Sequence, residues 1–408
     1  MDNIAGQKSG LGIATHLATL LLVIIWIVPT LGLLVTSLRD QDAISQTGWW
    51  QALRGAPQTY VISVPVDAQV PDGDVWRLET NVFEVVDPAT VPQNVLDRRS
   101  VDAFGTSRLR GPNTEAGEAS ELRGGGTVTV EPDGTLVATA PEPFERALSL
   151  PMSLIAPPQV TIDNYAEVLT DMNAEERAEA RSEGRSLDEM LFSDEALFGP
   201  FVNTLTVAIP ATVIPIVIAA FAAYALAWMD FRGRGVLIAI VVGLLVVPLQ
   251  LAFVPLTIIH SWFGIGKSFL GIWLAHTGFG LPLAVYLLRN YMAGLPRDII
   301  ENAKVDGATD FDIFWRIVLP LSFPALASFA IFQFLWTWND LLVASVFLPA
   351  DTESTVMTRF VVTNLLGSRG GEWHILAAAA FVMIAVPLVV FFTMQRFLVR
   401  GLLAGSVK

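Results

Sequence analysis

The stretch ENAKVDGATDFDIFWRIVLPLSFP, residues 301–324, lies between two long apolar runs, and its reading decides what kind of molecule surrounds it. It holds too many charges to cross a bilayer, yet its apolar pattern is too regular for a loose connector. Just upstream, Pro296 suits the first turn of a helix, because it lacks only an N–H that has no partner there. Ile299, Ile300 and Ala303 give that helix a short apolar face. Gly307 can take the left-handed conformation that closes a helix, and Thr309 or Asp310 can cap a second one. Phe311, Phe314, Trp315 and Val318 then follow the i, i+3, i+4, i+7 spacing of an amphipathic helix. Pro320 and Pro324 mark where the chain turns into the next apolar run. The expectation is a helix–turn–helix lying at a membrane face. Asp298, Glu301, Asp306, Asp310 and Asp312 make it acidic as well as basic, and an acidic helix gains nothing from anionic lipid. A protein partner is the expected occupant of its outer side.

The rest of the chain supplies the membrane. Of 408 residues 53% are hydrophobic and only 16% charged, where soluble domains carry about 25% charged residues. The deficit is concentrated: Asp, Glu, Lys and Arg are absent from 9–38, 196–229, 235–266, 268–288, 317–339 and 373–395. Each run is long enough to cross ~30 Å of hydrocarbon as a helix, which takes about 20 residues. The first run is too long for the apolar core of a signal peptide and holds Pro29 well inside it, so it reads as a retained anchor. The fold class expected is an all-α polytopic membrane protein with six transmembrane helices and a β-rich insertion after the first.

Charge is distributed unevenly. Residues 39–200 carry 28 acidic and 12 basic side chains, a net −16, and the remainder is +2. Lys8, Arg232, Arg234, Arg289, Arg297, Lys304, Arg316, Arg396, Arg400 and Lys408 all fall on one side if the N-terminus is cytoplasmic, as the positive-inside rule requires. Both termini are then cytoplasmic and residues 39–200 extracytoplasmic. There is no cysteine, so no disulfide staples that segment.

The expected organisation is a cytoplasmic N-terminus and first helix at 1–38, a β-rich insertion at 39–160, a helical connector at 161–200, a core of five helices at 201–395 with a loop at 290–322, and a cytoplasmic tail at 396–408. TYVISVPV, DVWRLETNVFEVV and GTVTVEPDGTLVATA read as strands, the last as a hairpin turning at Pro132-Asp133-Gly134. The stretch RSVDAFGTSRLRGPNTEAGEAS and Gly124–Gly126 read as loop. Thr161 or Asp163 should cap a helix over TIDNYAEVL, and DMNAEERAEARSEGRSLDEML a charged, solvated one. Along the fifth helix Gln333, Trp336 and Asp340, at i, i+3 and i+7, should share one helical face, with Asn339 beside them. They are the pathway candidates, since polar residues in spans favour a cavity or a partner.

Two signals carry no chemistry. GIGKS at 264–268 ends like a phosphate-binding loop, but Ser261 stands where that motif needs glycine. His16, His260, His276 and His374 are scattered without metal-ligand spacing, so no metal site and no catalytic residue is expected.

The spacing E-x-A-x-x-D-G-A at Glu301, Ala303, Asp306, Gly307 and Ala308, followed by Phe314, Ile317, Pro320-Leu321 and Pro324, resembles the coupling-loop motif of ABC importer permeases. DNYAEVL at 163–169, Asn203-Thr204-Leu205, Trp338-Asn339-Asp340 and the tail QRFLVRGLLAGSVK at 395–408 are similar to the maltose-type sugar branch of that family. The insertion after the first helix, taken with that tail, resembles the alpha-glucoside subtype. The resemblance covers residues 160–408 and the first helix, and implies the type I importer permease fold. It implies a non-catalytic subunit forming half of a pathway for maltose, trehalose or sucrose. Its partners would be a second permease, two ATPase subunits that bind ATP and Mg, an extracytoplasmic binding protein and lipid, with no nucleic acid. By the same resemblance Glu301, Ala303, Asp306, Gly307, Ala308 and Phe314, within 297–320, would couple to the ATPase. Gln395, Arg396, Arg400, Gly401 and Lys408 would reach it from the tail. Gly367, Gly370, Gly371 and Trp373 would touch the binding protein. Two other classes stay open on the residues alone: an ion-coupled secondary transporter, and a membrane-anchored sensor with an outer domain.

Overall fold

In the computed structural model, residues 10–404 are described apart from 47, 54, 89, 159 and 367–371. The chain divides into two units, Met1–Asn164 and Tyr165–Lys408.

The first unit opens with α1, Gly10–Ser37, whose side chains are exposed along almost its whole length. Such a helix has no soluble explanation and suits lipid. Among the described residues nine strands follow: β1 Ala56–Val64, β2 Val70–Asp72, β3 Val75–Asn81, β4 Val101–Phe104, β5 Thr114–Glu115, β6 Ala119–Glu121, β7 Thr127–Val130, β8 Thr135–Ala140 and β9 Leu148–Ala156. They make two antiparallel sheets, ordered β1-β9-β4-β5 and β2-β3-β8-β7-β6. One core joins the sheets: Ile62, Leu150, Met152 and Phe104 from the first pack with Leu78, Val128, Val130 and Leu136 from the second. β8 alternates buried and half-buried residues along TLVATA, the period of two that a sheet with one face in the core demands. The Pro132-Asp133-Gly134 turn forms as expected, with Gly134 at φ +88° and the Asp133 carboxylate accepting from the Thr135 amide at 2.9 Å. That bond holds the Asp133 carboxyl below its ordinary range.

The strand expected over 74–86 stops at Asn81. The Asn81 side chain accepts from the Phe83 amide and caps a helical turn, Val82–Val85. The stretch from Arg99 to Ser120, expected as loop, contains β4, β5 and the start of β6. β4 finds a partner far along the chain, Phe104 pairing with Met152, whereas β6 pairs with the next strand, Ala119 with Thr129.

The insertion leaves and returns at one place. Ala56 pairs with Ala156, the Thr161 amide donates to the Leu38 carbonyl at 2.9 Å, and buried Asn164 donates to the carbonyls of Ser37 and Arg39 at 2.9 and 3.0 Å. A β domain can therefore be inserted here without separating the ends it joins.

The connector opens with Asp163–Thr170, which begins where the Thr161 hydroxyl accepts from the Asp163 amide. Its Val168 packs with Leu197, Trp338 and Phe360, so this first part of the connector belongs to the core. The charged part breaks into Ala174–Ser182 and Leu187–Leu191, with capping boxes at Asn173/Glu176 and Ser186/Glu189 and Gly184 at φ +82° between them.

Among the described residues, four helices are long and apolar enough to cross a membrane unbroken: Gly12–Ser37, Phe198–Trp228, Phe269–Ala293 and Trp373–Phe397. The third expected crossing is broken into Arg234–Leu244 and Leu249–Trp262, bent by 109°. Pro248 stands at the break, where its ring lacks a donor and disfavours helix in the residue before it. The fifth is Asp310–Leu321 and Phe323–Trp338, bent by 68°. Six crossings are reached only if each bent pair counts as one.

Candidate functional site

The loop between the Phe269–Ala293 and Phe323–Trp338 helices folds as two short helices. The first, Arg297–Val305, starts after Pro296, whose extended backbone occupies the capping position and not the first turn. At its end the Ala308 amide donates to the Ala303 carbonyl at 3.0 Å and the Gly307 amide to that of Lys304 at 3.1 Å. These are the two bonds of a Schellman cap, which needs a left-handed residue, and Gly307 has φ +83°. Thr309 then accepts from the Asp312 amide at 3.2 Å and caps the second helix.

That second helix departs from the regular 3.6 period. After Asp310–Ile313 it widens into a π-turn over Phe314–Val318, and the single apolar face expected for Phe311, Phe314, Trp315 and Val318 splits in two. Phe314 and Val318 are buried; Phe314 sits 4.6 Å from the Phe221 ring and 5.4 Å from that of Tyr224, ring centre to ring centre. Phe311 and Trp315 are exposed, their rings parallel within 8°. Of the expected coupling residues, Glu301, Asp306 and Gly307 face outward, and Ala303, Ala308 and Phe314 pack against the core.

The pathway candidates are gathered only in part. Gln333 is buried inside the unit and donates to the Ala211 carbonyl at 3.1 Å. Gly280 makes room for it: a β-carbon there would lie 2.6 Å from the Gln333 Oε1. The Trp336 ring meets His276 edge-on at 5.1 Å. Asp340 lies just past the end of that helix, which stops at Trp338 with Asn339 as its cap. The Asp340 carboxylate instead accepts from the Ala344 amide at 3.1 Å, at the start of Leu342–Phe347, and its carbonyl accepts from the Thr358 hydroxyl. Asn339 is exposed and donates to its own helix at Leu335. Sequence reasoning missed His276, which is fully buried with neither ring nitrogen hydrogen-bonded and Nε2 3.8 Å from the Asp340 carboxylate. Its signal was depth: an ionisable residue midway in a charge-free run is a site candidate whatever its spacing.

The other motif residues act as staples. Asn203 donates to the carbonyls of Glu353 and Thr355 at 2.7 and 2.9 Å, and Thr204 accepts from the Met357 amide. Buried Trp338 donates to the Met383 carbonyl at 2.8 Å. Ser268 of GIGKS caps the Phe269–Ala293 helix by accepting from the Gly271 amide. In the tail, Gln395 donates to Phe392 and the Arg396 guanidinium lies 4.7 Å over the Phe397 ring. The backbone stays helical through Arg400 and Gly401 to Ala404. Trp373 is exposed at the start of that helix. Gly367, Gly370, Gly371 and Lys408 lie outside the described residues. No cluster of three metal-ligating side chains exists among the described residues.

Residues 201–403 match the family described as the binding-protein-dependent transport system inner membrane component. The chain is 52% identical over 410 residues, 98% of both chains, to the alpha-glucoside transport system permease protein AglG of Rhizobium meliloti. The chain belongs to this family of inner-membrane transport permeases. Coverage of 98% means that the β-rich insertion is part of the match. The permease is also 57% identical to the osmoprotective compounds uptake permease protein GgtD of Synechocystis, over 51% of this chain and 70% of that one. To the trehalose transport system permease protein SugB of Mycobacterium tuberculosis it is 33% identical, over 53% and 80%. As a permease of this family it is a multi-pass, non-catalytic membrane subunit, and ATP hydrolysis belongs to a partner.

Proposed function

We propose that the permease imports alpha-glucosides such as maltose, trehalose or sucrose, as one half of the pathway of an ATP-driven, binding-protein-dependent importer. The observation that carries this reading is the 52% identity to an alpha-glucoside permease over the whole chain, insertion included. Residues 297–320 would dock on a cytoplasmic ATPase. The outward face of Glu301, Asp306 and Gly307, on two helices locked by a Schellman cap, is what supports that role. The tail from Gln395 would reach the same ATPase, and Trp373 with the neighbouring loop would meet the binding protein. In this reading the termini are cytoplasmic and residues 39–200 extracytoplasmic. The second permease would be a different chain, and the domain boundaries would be those expected at 38, 160, 200 and 395. Gln333, Trp336 and Asp340, joined by His276, would brace the pathway wall from inside the subunit.

The test is uptake by the reconstituted complex of this permease, its partner permease, the ATPase and the binding protein in ATP-loaded vesicles. Labelled maltose, trehalose and sucrose should enter and label from a polyol or zwitterionic osmolyte should not. Uptake confined to the osmolytes would overturn the alpha-glucoside assignment.

A further inference from the structure

Tyr224 is a polar residue in an apolar place. It lies one turn from the end of the Phe198–Trp228 helix, is 5% exposed, and is surrounded by Ala220, Ala223, Phe314 and other apolar neighbours. A buried tyrosine hydroxyl needs a partner, and this one donates to the Asp310 Oδ1 at 3.2 Å. The same oxygen lies 3.7 Å from the Lys304 ammonium. Asp310 opens the second helix of the loop and Lys304 lies in the last turn of the first, on opposite sides of the Gly307 turn. One carboxylate thus ties together both halves of the loop and the membrane helix beneath it.

The surrounding contacts make this end of the bundle a block. Trp228 donates to the Met292 carbonyl at 3.0 Å, joining the ends of two membrane helices. Arg234 donates to the Ala227 carbonyl at 3.1 Å. Phe314 lies against both Phe221 and Tyr224. Apolar packing of rings holds two elements together but resists sliding weakly, since it is not directional. A hydrogen bond to a carboxylate is directional and stronger than a neutral one. The half-exposed Lys304–Asp310 pair contributes little to stability by itself, so its value is in fixing where the carboxylate points.

We propose that Tyr224, Asp310 and Lys304 form a polar strut that carries displacement of the loop into the Phe198–Trp228 helix. The strut rests on the reading that residues 297–320 dock on an ATPase, and it adds the route by which that docking reaches the membrane. The three are positioning residues, acting through the elements they join.

The experiment measures sugar taken up per ATP hydrolysed by the full reconstituted complex. Tyr224→Phe keeps the ring and removes only the hydroxyl, and should lower this ratio by about three- to tenfold, the range for losing one ordinary hydrogen bond. The KM for sugar should stay at the wild-type value while the maximal rate falls. Asp310→Ala should lower the ratio at least as far, and the double variant no further than Asp310→Ala alone, because both act through one oxygen. Tyr286→Phe, on an exposed tyrosine of the neighbouring helix, should keep the wild-type ratio. A wild-type ratio in Tyr224→Phe, or additive losses in the double variant, overturns the strut. If Tyr224→Phe does not assemble, Lys304→Met on the exposed side is read instead; a fall in its ratio supports the strut and an unchanged ratio overturns it. A wild-type complex that hydrolyses ATP without uptake would overturn the docking reading itself.

Discussion

Gly307 bears on two roles at once, as the turn that closes a helix and as part of a docking surface, and substitutions there can tell the two apart. Its φ is +83°, and a β-carbon built there meets no atom of the chain within 4 Å. The cost of Gly307→Ala within the subunit is therefore conformational alone, about 1–2 kcal/mol for a left-handed alanine. That is enough to shift the population of the turn by roughly 5- to 30-fold and too little to unfold a bundle. Gly307→Asn places the same β-carbon in the same open space, but asparagine visits this conformation routinely, so its backbone cost is about half or less of alanine's. If the turn alone matters, alanine impairs uptake and asparagine does not. If the outer face is pressed against an ATPase, the β-carbon is excluded in both, and Gly307→Asp adds a charge to that contact. The account predicts that all three variants reach the membrane in wild-type amounts and that all three take up labelled sugar at under a tenth of the wild-type rate. The assay is uptake normalised to immunoblotted permease. Full uptake by Gly307→Asn would refute docking at this face.

Three further outcomes follow from the packing. Gly280→Ala forces the buried Gln333 amide off the Ala211 carbonyl; overpacking and a lost bond together cost about 2–4 kcal/mol. Its thermal midpoint in detergent should fall, recover in part when Gln333→Ala is added, and a wild-type midpoint would contradict the contact. Asn164→Ala strips a donor from the carbonyls of Ser37 and Arg39 at the point where the β insertion rejoins α1. It should cost about 1–3 kcal/mol, read as faster hydrogen exchange of the Thr161 amide, and unchanged exchange would contradict it. His276→Leu removes two buried nitrogens that have no hydrogen bond, so stability should hold or rise. Asp340→Leu removes the acceptor for the Ala344 amide and should cost about 1 kcal/mol. The opposite order of the two midpoints would contradict this reading of the pair.

Much of the architecture was legible because its causes are local. Charge-free runs located every long helix, the Gly307 closure and the Thr309 cap followed from backbone chemistry, and Pro132-Asp133-Gly134 announced its hairpin. The family resemblance read from Glu301 to Pro324 is the one that the comparisons return. What escaped is non-local. Nothing near Val101 says that β9, far along the chain, will pair with it, or that short segments among glycines will find partners. The π-turn at Phe314–Val318 rotates Phe311 and Trp315 off the face that a 3.6-residue period assigns them. The helix carrying Gln333 and Trp336 stops two residues before Asp340, an end that the i+7 spacing did not announce. His276 was set aside on ligand spacing, although its place in an apolar helix was the relevant property.

The central claim is that the face around Gly307 couples this permease to an ATPase. The chain has no cysteine, so one can be placed at Val305, which is 86% exposed beside that face. Labelling of Val305→Cys by a membrane-impermeant maleimide should be rapid in the permease alone and strongly suppressed when the ATPase is bound. Equal labelling with and without the ATPase would contradict the account.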